Sequence, residues 1–146
     1  MRCKYFSVLI ICLMAMVCSS CTEEPLEIFG PWKDLDEPGT YYYFYTNVQR
    51  LKIITNIPDD GFTNIDSVFD SRPSYNEYWY DVCKEEIELS RVYALAEFAP
   101  RDTMYIVYDY KFSKDILDLT MKSIDVDERY SFRYPLKEKV KLQRMR

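Results

Sequence analysis

Apolar and polar residues alternate along most of the chain after residue 30, which predicts a series of short strands. The clearest alternation covers residues 104–112, where Met104, Ile106 and Tyr108 share one face while Asp109 and Lys111 mark the other. The same pattern predicts strands at 40–45, 49–55, 75–83, 87–90, 116–121 and 129–134. Segments rich in Gly, Pro and Asp separate these strands and predict turns.

The alternation also assigns side chains to faces. In the segment 75–83, Tyr78 and Tyr80 point to one face and Trp79 to the other. In the segment 49–55, Leu51 points to the core side and Lys52 to the solvent side.

Three segments give weaker signals. Residues 62–72 have no clean period and are predicted to form a loop with room for a helical turn. Residues 91–98 mix helix-favouring and strand-favouring residues, so both structures stay open. Residues 137–146 carry several basic side chains and are predicted to be a solvated tail. A weak contact of this tail with anionic lipid or a cell-surface polymer is the alternative.

Seven or eight short strands at roughly ten-residue spacing are typical of an antiparallel barrel or sandwich. Gly30-Pro31-Trp32, at the start of the first strand, resembles the Gly-x-Trp signature of lipocalins and other calycins. That resemblance implies an eight-stranded barrel in which Trp32 closes one end. It also implies that an arginine of the last strand, Arg133 or Arg129, packs over the Trp32 ring. We therefore expect an all-β, antiparallel, lipocalin-like β-barrel over residues 30–136, with a β-sandwich as the alternative.

The amino-terminal segment has the layout of a cleavable export signal. Arg2 and Lys4 precede an unbroken apolar run at 8–17, and small residues Ser19 and Ser20 precede Cys21. The run is shorter than the ~20 residues that a membrane-spanning helix needs. The pattern resembles a bacterial lipobox, which implies lipidation of Cys21. An ordinary secretory signal cleaved near Ser19 or Ser20 is the alternative.

This resemblance divides the chain into four parts: a signal peptide (1–20), a lipidated terminus and tether (21–29), the barrel (30–136) and the basic tail (137–146). Glu23 and Glu24 resemble the acidic signal that some two-membrane bacteria use to place lipoproteins on the outer face. A solvated linker explains the two residues equally well. We expect a lipid-anchored protein of the cell envelope, in the outer membrane, with exposure at the cell surface left open.

Composition narrows the class further. Loss of residues 1–20 leaves 17 basic and 24 acidic residues, a formal net charge of −7. Such acidity argues against nucleic acid as a partner, because phosphates attract clustered lysine and arginine. Fourteen Tyr and eight Phe suit the half-buried surface of strands. One cysteine, Cys83, remains in the barrel, so no internal disulfide is expected.

The sequence offers little for catalysis. It contains no histidine, which removes Ser-His and Cys-His nucleophile systems and the common histidine metal sites. Acidic residues such as Asp59, Asp60, Glu85, Glu86 and Asp109 stand at or near turns, where carboxylates are usually solvated. We predict a non-catalytic protein with no metal site and no cofactor.

Two functions fit these features. The first is a binding module for a small apolar or carbohydrate ligand, with Trp79, Tyr78, Tyr80 and Tyr108 at the barrel mouth or on a platform. The second is a structural or assembly lipoprotein that contacts another envelope protein. Core packing is the ordinary role of each of these aromatic residues. A cavity with convergent polar groups favours binding, and an exposed aromatic patch favours assembly.

Overall fold

The structure, a computed structural model, describes residues 28–58, 65–71, 76–130 and 136–146. Its antiparallel strands follow one another in a meander and close into an eight-stranded barrel, because the first strand pairs with the last. The prediction of an all-β, lipocalin-like barrel is confirmed, and the sandwich alternative is wrong. The strands are β1 (Gly30–Asp34), β2 (Tyr41–Tyr45), β3 (Arg50–Ile54), β4 (Glu77–Cys83), β5 (Glu86–Ala94), β6 (Arg101–Ser113), β7 (Ile116–Asp125) and β8 (Lys139–Arg144).

The barrel interior holds the main hydrophobic core. Successive side chains of a strand point to opposite faces, so the alternation in the sequence becomes an inner and an outer surface. On β4, Tyr78 and Tyr80 are buried inside while Trp79 lies outside, as the alternation predicts. Met104 and Ile106 of β6 also point inwards and are fully buried.

The last strand lies where the sequence predicted a solvated tail. Strand β8 occupies residues 139–144 and pairs with both β7 and β1, so the barrel extends beyond residue 136. Val140 and Leu142 are buried between exposed Lys139 and Lys141. The tail prediction is wrong because the basic residues mark only the outer face of an alternating strand. The strand predicted at 129–134 lies mostly outside the described residues.

Both ambiguous segments contain regular structure. Strand β5 continues through Ala94, and residues 95–100 form a loop. A short helix, α1 (Ile65–Ser71), lies within the predicted loop 62–72. Its Phe69 joins Tyr41, Ile54 and Ile57 in a second, smaller core on the outside of β2 and β3.

Helix α1 also changes the environment of Lys52. The side chain points outwards, as predicted, but the residue is only 6% exposed. Its ammonium group donates a hydrogen bond to the backbone carbonyl of Phe69 in the last turn of α1. Cations stabilise a helix end that carries unsatisfied carbonyls, so Lys52 fixes the helix to the barrel.

Trp32 closes one end of the barrel, which we call the closed end. Its side chain is 0% exposed, and its indole Nε1 donates to the carbonyl of Ile28 at 2.8 Å. The guanidinium of Arg144, on β8, lies 4.5 Å from the ring centre and donates to the carbonyl of Phe29 at 3.2 Å. The last-strand arginine that the lipocalin resemblance implied is therefore Arg144.

The two arginines that the sequence predicts over the Trp32 ring, Arg129 and Arg133, are not observed in that contact. Arg129 is exposed and binds the carboxylate of Asp127 at 2.7 Å. Arg133 lies outside the described residues. The last strand lies at Lys139–Arg144 rather than at 129–134, so the arginine over Trp32 comes from the later segment.

The opposite end of the barrel, the open end, carries the longer connections, and one of them requires a glycine. Gly39, between β1 and β2, has φ +79°, and an added Cβ would lie 2.7 Å from the carbonyl oxygen of Ile57. The backbone N–H of Ile57 also donates to the carbonyl of Gly39 at 3.1 Å. The two connections are thus held together at a point where no side chain fits.

We expect Gly39→Ala to lower the free energy of unfolding by ~2–3 kcal/mol, measured by urea denaturation, because strained backbone and a steric clash add. Gly30→Ala is the matched control. Gly30 also has positive φ, +104°, but nothing lies within 4 Å of its added Cβ. The control should lose only ~1 kcal/mol from backbone strain. Equal losses at the two positions would show that contact with Ile57 is unimportant.

Candidate functional site

A cavity of about 230 Å³ opens at the open end of the barrel; we call it the mouth cavity. Inward-pointing residues of β2, β3 and β4 form one side, and the connections before β2, β4 and β8 form the rim. Its walls combine apolar and polar side chains. The lining residues are Glu37, Thr40, Tyr42, Ile53, Thr55, Asn76, Tyr78, Leu136 and Lys137.

The four aromatic residues predicted to bind a ligand do not lie together. Tyr78 lines the mouth cavity. Tyr108 is buried behind it and donates from its hydroxyl to the carbonyl of Lys137 at 2.8 Å, which supports the cavity wall. Tyr80 lies deeper, where its hydroxyl donates to the carbonyl of Tyr45 at 2.8 Å.

Trp79 belongs to a different surface. It is 50% exposed on the outer face, and the guanidinium of Arg50 lies 4.6 Å from its ring centre. A recess of about 220 Å³ beside it is lined by Arg50, Glu77, Tyr78, Trp79, Arg91 and Val92. Tyr78 is thus shared between this outer recess and the mouth cavity, whereas Trp79 contributes to the outer recess alone.

The phenols at the mouth cavity stay protonated. Burial raises the pKa of Tyr42, and the negative charge of Asp34 raises it further. Burial also raises the pKa of Tyr78, against the opposing effect of the nearby Arg91 guanidinium. Both shifts move the pKa above its ordinary value of about 10. The two hydroxyls are therefore neutral groups that can donate and accept hydrogen bonds at physiological pH.

The charged groups at the rim bind one another. The buried carboxylate of Asp34 accepts hydrogen bonds from the backbone N–H groups of Asp36 and Glu37, at 2.9 and 3.1 Å. Lys137 Nζ lies 2.9 Å from Asp34 Oδ2 and 2.6 Å from Glu37 Oε2. Burial alone would lower the pKa of Lys137, but these two carboxylates outweigh it and hold the pKa above its usual value. Lys137 therefore carries a positive charge, and the carboxylates of Asp34 and Glu37 compensate that charge.

Thr40 is the exceptional polar residue of the cavity. It is 2% exposed, and its Oγ1 has no hydrogen-bond partner among the described residues. Leaving a buried hydroxyl unpaired costs ~1–3 kcal/mol, so folded proteins seldom do it. Sequence reasoning missed Thr40, because nothing in the local pattern distinguishes it from a threonine that is bonded.

The described ranges contain no group of three or more His, Cys, Asp or Glu side chains arranged to hold a metal ion. In the same ranges, no helix combines the length and the hydropathy that a bilayer span requires. Comparison with known proteins adds no assignment: no family model, no curated protein and no solved structure matches the chain.

Proposed function

We propose that the protein is a lipid-anchored envelope protein whose barrel is a non-catalytic binding module for a small ligand. The mouth cavity carries the proposal, because apolar walls with a few convergent polar groups are typical of ligand sites. Its volume of about 230 Å³ is below the ~300–1,000 Å³ of pockets for drug-sized molecules. The ligand, or the part of it that enters, is accordingly about as large as one sugar ring or a short apolar group.

The lipid anchor at Cys21 fits this use of the mouth cavity. The chain enters the barrel at the closed end, where Ile28 lies against Trp32. Six residues lie between Cys21 and Ile28, and the seven steps from one Cα atom to the other span at most ~25 Å when fully extended. An anchor at Cys21 therefore keeps the closed end within ~25 Å of the bilayer surface, and we expect the open end to face away. In the outer membrane of a two-membrane bacterium, this orientation presents the cavity to the aqueous side.

Residue-resolved NMR tests the binding proposal. The full-length ¹⁵N-labelled protein in detergent is titrated with neutral monosaccharides, disaccharides and short-chain fatty acids. We expect at least one class to cause saturable shifts at the amides of Thr40, Asn76 and Lys137. Shifts confined to the outer recess, or none with any compound, would contradict binding in the mouth cavity.

A second candidate function is assembly with another envelope protein, and the outer surface favours it. Trp79 and Tyr105 both pair with Ser90 of β5, so they flank the same position on the outer face. Val92 is also exposed on this face, and Phe98 in the β5–β6 loop is 94% exposed. Neighbouring exposed apolar residues such as Trp79, Tyr105 and Val92 are typical of interaction surfaces.

Crosslinking in intact envelopes tests the assembly function. A photoreactive residue in place of Tyr105 should trap a specific protein, and Trp79→Ala should remove that crosslink. The same residue in place of exposed Thr120, on β7, serves as the control. Identical crosslinking patterns at the two positions would contradict a dedicated interface.

A further inference from the structure

We infer that the mouth cavity binds a neutral polyhydroxylated ring, a single sugar residue, rather than an anionic or purely apolar ligand. The inference rests on the proposed binding function and names the ligand class for the same cavity. Three properties of the lining residues carry it: paired charges, an unsatisfied buried hydroxyl, and flat apolar surface beside it.

The charges argue against an ionic ligand. Among the described residues, Lys137 is the cation that lines the cavity, and the carboxylates of Asp34 and Glu37 hold it at 2.9 and 2.6 Å. An anionic ligand that approached Lys137 would meet these two carboxylates. A cationic ligand would have to displace Lys137 from them. A neutral ligand disturbs neither bond.

The hydroxyl of Thr40 argues against a purely apolar ligand. It can donate one hydrogen bond and accept two, yet its Oγ1 has no partner among the described residues. An alkyl chain in the cavity would leave it unpaired. The side chains of Thr55 and Asn76 line the same cavity and add further hydrogen-bonding groups. A ligand hydroxyl can satisfy such groups, whereas a methylene cannot.

The remaining lining suits the apolar surface of a sugar. Tyr42, Tyr78 and Ile53 line the same cavity and supply rings and an aliphatic side chain. A pyranose has C–H groups on its faces and hydroxyls around its edge, so it can meet both kinds of lining at once. The cavity volume of about 230 Å³ limits the occupant to about one such ring.

Thr40→Val is a sharp test, because it removes the hydroxyl and keeps the branched shape of the side chain. The main chain at this position is held independently: Thr40 N–H donates to the carbonyl of Glu37 at 3.2 Å, and its carbonyl accepts from Asp34 N–H at 3.0 Å. We therefore expect the variant to fold and to melt at the same temperature or higher. Thr120→Val, at an exposed position of β7, is the matched control.

Calorimetric titration of the full-length protein in detergent uses three probes: neutral methyl hexosides and N-acetylhexosaminides, glucuronate, and hexanoate. We expect a neutral glycoside to bind best and glucuronate to bind more weakly. Thr40→Val should weaken glycoside binding at least tenfold, whereas Thr120→Val should leave it unchanged. Hexanoate or glucuronate as the best ligand would overturn the sugar assignment and leave the binding function standing. The assignment also fails if Thr40→Val lowers the melting temperature without weakening glycoside binding, since the hydroxyl then serves the fold. No binding by any probe would overturn the binding function itself.

Discussion

Trp32→Ala should lower the free energy of unfolding by ~3–5 kcal/mol, as expected when a large buried aromatic is truncated. The side chain is 0% exposed, and its loss removes the indole hydrogen bond to Ile28. It also leaves the guanidinium of Arg144 without the ring that it covers. Domains of this size are stable by only ~5–15 kcal/mol, so the variant should be partly unfolded under mild denaturing conditions.

Trp79→Ala is the internal control for this prediction. Both tryptophans of the chain lie on strands, but Trp79 is half exposed on the outer face. Its truncation should cost no more than ~1 kcal/mol, including the loss of a cation–π contact with Arg50. Chemical denaturation with far-UV detection compares the two variants. Similar midpoints would show that Trp32 does not close the barrel and that the Gly-x-Trp resemblance is accidental.

Cys21→Ser should move the protein from the membrane to the soluble fraction. A serine cannot form the thioether that attaches diacylglycerol, and membrane affinity rises by ~0.8 kcal/mol per buried methylene, so two or three long acyl chains hold almost irreversibly. Cell fractionation with Triton X-114 partitioning, together with the mass of the purified protein, measures the change. Cys83→Ser, which alters the cysteine of β4, should stay with the membrane.

A Cys21→Ser protein that still enters the detergent phase would contradict the anchor. Such a result would favour the ordinary secretory signal near Ser19 or Ser20, with the barrel surface itself responsible for membrane association. The melting temperature of the variant should equal that of the parent chain, because Cys21 precedes the first strand of the barrel by nine positions in the sequence.

The strand faces could be predicted because a period of two is a local property of the sequence. The alternation on β4 and β6 identified the buried side chains Tyr78, Tyr80 and Tyr108 correctly. It also placed Trp79 on the opposite face, so the grouping of Trp79 with these tyrosines around one ligand conflicted with the pattern itself. A barrel mouth and an outer platform are separate surfaces, and the alternation already distinguishes them.

Other features depended on contacts between distant segments. The basic residues of 139–144 concealed strand β8, because Val140 and Leu142, its two buried residues, are the only apolar side chains in the segment. Arg144 could be assigned to Trp32 only after that strand was known. Lys52 is buried by helix α1, which forms in a segment whose sequence has no clean period and predicts a loop with room for a helical turn. Thr40 is distinctive only because none of the described residues forms a hydrogen bond with its hydroxyl.

Native mass spectrometry tests the binding claim most directly. The full-length protein is released from detergent micelles in the gas phase, first as purified and then after incubation with neutral sugars or fatty acids. We expect a small-molecule adduct that survives gentle activation, disappears on unfolding and is depleted in Thr40→Val. A bare protein mass under every condition would contradict a ligand in the mouth cavity and would favour assembly through the outer face.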